Sequence, residues 1–115
     1  MTVTIYHNPR CSKSRQTLSL LEEHGHEPVV VEYLKTPPDV QTLNKILQML
    51  GMEPRELMRK GESEYKAAGL DRQDLSRDAL IEKMIEFPKL IQRPIVVAEG
   101  KARIGRPPES VLEIV

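Results

Sequence analysis

Two β-branched runs, TVTIY at residues 2–6 and VVVEY at 29–33, stand on either side of one helix-like stretch, QTLSLLEEHG, and this order constrains the fold more than any other feature of the chain. Residues 15–24 carry Leu18, Leu20 and Leu21 ahead of Gly25, a natural stop, so the first 33 residues read as strand, loop, helix, strand. A helical connection between neighbouring strands implies that they run parallel, with a right-handed crossover.

The next segment, TPPDVQTLNKILQMLG, predicts a helix with Asp39, ahead of Thr36, as N-cap, with Val40, Leu43, Ile46, Leu47 and Leu50 inward and Gly51 closing it. From 52 to 92 the pattern is helical in short pieces, PRELMRKG, SEYKAAG and SRDALIEKMIEFP, each punctuated by Gly or Pro. PIVVA at 94–98, the turn signal Glu99-Gly100 and KARIG at 101–105 predict a β-hairpin, and PPESVLEIV a last short helix with Val111, Leu112 and Ile114 packed. The order β-α-β, helices, β-β-α predicts an α/β, thioredoxin-like layout with a helical insertion at about 39–92 between its two halves, in a single domain spanning 1–115.

At 115 residues and 39% hydrophobic, the chain can bury a core without metals or disulfides. Seventeen basic against 17 acidic residues leave no whole-molecule field to recruit nucleic acid or an anionic membrane, so an anion has to be caught locally. The opening residues show no leader pattern and no apolar run reaches spanning length, which predicts a cytoplasmic protein. A monomer is expected. One cysteine and three histidines lack the spacing of a metal site, so no metal and no bound cofactor are expected.

That single cysteine, Cys11, lies in HNPRCSKSR at the first strand-to-helix turn. A free thiol titrates near ~8.5, so only about 3% is thiolate at neutral pH. Lowering a thiol's pKa by roughly two units takes about 2.7 kcal/mol, and a helix N-terminus supplies on the order of 0.3–1 kcal/mol, up to ~2 when partly buried. Cations or hydroxyl donors must supply the rest, and His7, Arg10, Lys13, Arg15 and Ser14 are the candidates; Ser14, three residues on, could aim its hydroxyl back at sulfur. The competing reading is a buried cysteine acting as a small hydrophobe, which Pro9 and the polar neighbours fit badly. Residue 14 is Ser, which excludes C-x-x-C, and residue 17 is Thr, which excludes the C-x5-R phosphatase loop.

Three arginines fall at the ends of predicted elements: Arg59 in LMRKG, Arg93 in QRPIVV and Arg106 in IGRPPE. Together with HNPRCSKSR, these motifs resemble, in order and along essentially the whole chain, the glutaredoxin-coupled arsenate reductase family, in its short form; some members carry a longer C-terminal tail. The resemblance implies a thioredoxin-like fold and reduction of arsenate to arsenite. Cys11 would be the nucleophile, His7 the group that helps form the thiolate, and Ser14 a hydrogen-bond donor to sulfur. Arg59, Arg93 and Arg106 would hold the oxyanion, with Arg93-Pro94 as the counterpart of the cis-proline turn. One thiol cannot both reduce arsenate and end as an internal disulfide, so glutathione and glutaredoxin are implied as external thiol donors. Two rival readings share the fold: a glutathione-linked thiol oxidoreductase with little arsenate activity, and a Spx-like regulator that binds RNA polymerase. The second typically uses C-x-x-C, which Ser14 removes.

Overall fold

A computed structural model describes residues 2–72 and 74–115. Internal contacts divide them into two compact units, one made of residues up to Thr36 together with Arg93–Val115, the other of Pro37–Gln92.

The first unit is built on a four-stranded sheet, β1 (Val3–His7), β2 (Val29–Glu32), β3 (Ile95–Ala98) and β4 (Lys101–Ile104), in the order β2-β1-β3-β4. β2 runs parallel to β1, as the helical crossover requires, and β3 and β4 are antiparallel. Helix α1 (Ser12–Glu23) connects β1 to β2. Alternation on β1 turns Val3, Ile5 and His7 inward. Val3 and Ile5 join Leu21 of α1, Val96 and Ala98 of β3, and Val111 and Ile114 from the C-terminus in one apolar cluster. Each such side chain, fully buried, is worth about 1.5–3 kcal/mol. His7 thus ends a core-facing row, and this carries a polar ring to the N-terminal end of α1.

Two expectations for this unit need correction. Helix α1 begins at Ser12, not residue 15, so Cys11 itself is its N-cap. The tail folds as a 3-10 turn over Pro108–Glu113, in which Leu112 stays half-buried. Val29 and Val30 are exposed, because β2 is the outer strand of the sheet.

The second unit is helical: α2 (Val40–Leu50), α3 (Pro54–Leu57), α4 (Ser63–Ala67) and α5 (Arg77–Glu86). Asp39 caps α2 by accepting from the Thr42 N–H at 2.8 Å, and Gly51 ends it at φ 68, a left-handed position that glycine adopts without strain. Leu43, Ile46 and Leu47 are buried, whereas Val40, at the first helical position, is exposed and not inward. Arg77, half-buried on α5, donates to Asn44 and Glu53, tying α2 to the start of α3. The Arg59 N–H donates to the Leu90 carbonyl and Gln92 to that of Leu57, on either side of a bridge between Met58 and Ile91.

Candidate active site

The loop between β1 and α1 is wound tightly. Cys11 N–H donates to the Asn8 carbonyl at 3.0 Å, and the Asn8 side-chain oxygen accepts from the Arg10 N–H. Arg15 reaches back from α1 to the Pro9 carbonyl at 2.9 Å. Cys11 is thereby placed at the N-cap, where an oxygen-bearing side chain would ordinarily accept from the free N–H groups of the first turn. No side-chain cap bond is formed there, so those N–H groups are left to act on the sulfur.

Cys11 is only 8% exposed, and burial, the largest single influence, raises its pKa. The Ser14 N–H, the guanidinium of Arg93 by hydrogen bond and by charge, and the Lys13 N–H together outweigh it, so the thiol lies below its ordinary value. Lys13 therefore contributes through its backbone. Arg93 also has a buried Nε with no hydrogen-bond partner among the described residues, a donor that an incoming oxyanion would satisfy. Arg106 lies against the same atoms: its Nε donates to the Arg93 carbonyl at 2.7 Å and its Nη2 stands 3.7 Å from the Cys11 sulfur. The peptide bonds Arg93–Pro94 and Arg106–Pro107 are both cis.

Ser14 is fully buried, and its hydroxyl does not take the bond to sulfur expected of it. It accepts from the Asn8 N–H at 3.0 Å and lies 2.6 Å from His7 Nδ1. His7 is pulled below its ordinary pKa, chiefly by burial; Glu32 raises it and Arg15 lowers it further. It is therefore neutral at neutral pH, and its side-chain partner is the Ser14 hydroxyl.

Of the six residues singled out beforehand, His7, Cys11, Ser14, Arg93 and Arg106 come together in the first unit. Arg59 belongs to the second unit, where its guanidinium pairs with Glu62. Two neighbours of the site carry no motif that marks them. Thr17 is fully buried one turn along α1, and Gly105 packs on it and on Pro94. The signal for Gly105, a glycine directly before an Arg-Pro pair, was present but does not distinguish a packing glycine from a turn. Among the described residues, no group of three His, Cys, Asp or Glu could hold a metal ion, and no helix is long and apolar enough to cross a membrane.

These features accompany extensive similarity to known proteins. The chain is 63% identical to the uncharacterized protein YfgD of Escherichia coli over 114 residues, covering 98% of this chain and 96% of that protein. An arsenate reductase of Neisseria meningitidis serogroup A is 50% identical over 110 residues, with 95% of this chain and 94% of the relative covered. The solved structure of an arsenate reductase from Vibrio cholerae superposes with a TM-score of 0.96 at 56% identity, over 100% of this chain and 98% of that one. The fold is thus the thioredoxin-like fold of these reductases. The ArsC family matches residues 6–114, and with the cysteine turn and its arginines in place, the chain belongs to that family.

Proposed function

We propose that this protein reduces arsenate to arsenite, with Cys11 as the nucleophile and glutathione and glutaredoxin as the external thiols. The observation that carries the reading is the Cys11 sulfur, held below its ordinary pKa at a helix N-terminus beside Arg93 and Arg106. The names of the relatives at 50% and 56% identity support arsenate as the substrate.

In the first step the thiolate attacks arsenic and a water leaves, forming an S–As bond. Glutathione then displaces a second oxygen as water. Attack by glutaredoxin on the glutathione sulfur leaves the electron pair on arsenic, and hydrolysis frees arsenite and Cys11. Once the mixed disulfide is resolved, one arsenate and two thiols give one arsenite, one disulfide and one water. Guanidinium groups suit the anion because their planar fork pairs with oxyanions and stays charged. Phosphate has nearly the same shape and charge, so selectivity lies in the redox step, which a thiol can perform on As(V) and not on phosphate.

The test is arsenate-dependent NADPH oxidation in a system coupled through glutathione, glutaredoxin and glutathione reductase. Turnover that stops when any one of arsenate, glutathione or glutaredoxin is withheld is the expected result. Rapid thiol exchange on small disulfides with no arsenate turnover would instead favour the general oxidoreductase.

A further inference from the structure

The parallel register of β1 and β2 sets Glu32 directly beside His7. Register partners on adjacent strands point to the same side of a sheet, so the carboxylate shares the face on which His7 meets Ser14. His7, Asn8, Arg10, Glu32 and Lys35 are among the residues lining a cleft of about 230 Å3. Lys35 also pairs with Glu32, at 3.7 Å, but its side chain is 79% exposed, so solvent screens that pair.

The hydrogens around Ser14 decide what this arrangement does. Ser14 Oγ already accepts from Asn8, and its one hydrogen needs an acceptor in a place that is 0% exposed. His7 Nδ1 at 2.6 Å is that acceptor only if the imidazole carries its proton on Nε2. With the proton on Nδ1, Ser14 would receive two donors and its own hydrogen would be stranded, the costly outcome for a buried hydroxyl.

We propose that Glu32 is a positioning residue of the site: its carboxylate, beside His7 on the neighbouring strand, keeps the imidazole proton on Nε2 so that Nδ1 accepts the Ser14 hydroxyl. Ser14 is thereby anchored to the end of β1, and its backbone N–H, in the first turn of α1, stays aimed at Cys11. The influences on His7 oppose one another. Burial works most strongly against a proton, Glu32 works for it, and Arg15 from α1 works against it, with Arg10 and Lys35 adding positive charge at the cleft. The inference rests on the reading of Cys11 as nucleophile.

The experiment compares wild type, Glu32→Gln and Glu32→Asp by 15N NMR of His7 and by steady-state kinetics. Glu32→Gln should lower the His7 titration midpoint and the Nε2–H population. It should also reduce kcat for arsenate by on the order of tenfold, a fraction of the ~10²–10⁴ that general acid–base groups supply. KM for arsenate and Tm should stay unchanged, and Glu32→Asp should restore both the His7 signature and most of kcat. An unaltered His7 titration and tautomer in Glu32→Gln overturns the assignment, as does an altered tautomer with unaltered kcat. The NMR comparison needs no turnover, so it judges the control of His7 by Glu32 even if wild type fails to reduce arsenate, a failure that would count against the proposed activity instead.

Discussion

Arg93→Ala should raise the pH midpoint for alkylation of Cys11 by iodoacetamide and cut kcat/KM for arsenate by at least roughly a hundredfold, the usual consequence of removing one donor from an oxyanion site. Arg93 acts on the sulfur twice, through a hydrogen bond and through its charge, and its Nε remains buried and unpartnered beside it. Losing it exposes the thiol to the largest remaining influence, burial, which favours the protonated form. Wild type should alkylate with a midpoint below that of free cysteine, and Cys11→Ser, which should neither alkylate nor turn over arsenate, sets the zero of the scale. Stability gives an independent check on the sign. The folded thiol has the lower pKa, so its contribution is complete above the unfolded thiol's ~8.5 and is lost as pH falls through the folded value. Cys11→Ser should abolish that pH dependence. Arg106→Ala should act mainly on arsenate use, because its contact with sulfur is long at 3.7 Å while its Nε braces the Arg93 carbonyl. If either arginine variant lost as much in folding as in turnover, its role would be structural.

Much of this site was legible before the fold was known, because local rules govern it. A β-branched run, a loop and a leucine-spaced helix put Cys11 at a strand-to-helix turn. Asp39 and Gly51 marked both ends of α2 through capping chemistry that depends only on neighbours along the chain. What escaped depends on pairing across the chain. The sheet order, which leaves Val29 and Val30 at an edge, is invisible to periodicity. So is the register that brings Glu32 to His7, and so is the partner of Ser14: three residues of helix place its backbone near sulfur but do not say which way the hydroxyl turns. Arg93 and Arg106 lie in one unit with Cys11, yet nothing in LMRKGES distinguishes an unengaged Arg59 from one paired with Glu62.

Gly105 shows how far site geometry rests on a residue with no chemistry of its own. Its N–H donates to the Pro94 carbonyl at 2.9 Å, and it directly precedes Arg106. A Cβ at this position would stand 2.5 Å from Thr17 Oγ1, 2.8 Å from Pro94 Cγ and 3.2 Å from Thr17 Cγ2. Neither neighbour yields cheaply. Thr17 is fully buried and β-branched, with its hydroxyl donating to the Lys13 carbonyl at 2.8 Å, and the proline ring has no rotamer to change. Gly105→Ala should therefore destabilise the fold by about 2–3 kcal/mol, lowering Tm by roughly 10 °C. Because the added methyl pushes α1 from the segment that carries Arg106, kcat/KM for arsenate should fall even at temperatures where the variant is fully folded. Thr17→Ala removes two of the three atoms the methyl meets and leaves Pro94 Cγ, so the double variant should be more stable than the sum of the two single changes predicts. Strict additivity in that cycle would mean that Gly105 is not held small by Thr17, and that the spacing between Arg106 and Cys11 is set elsewhere.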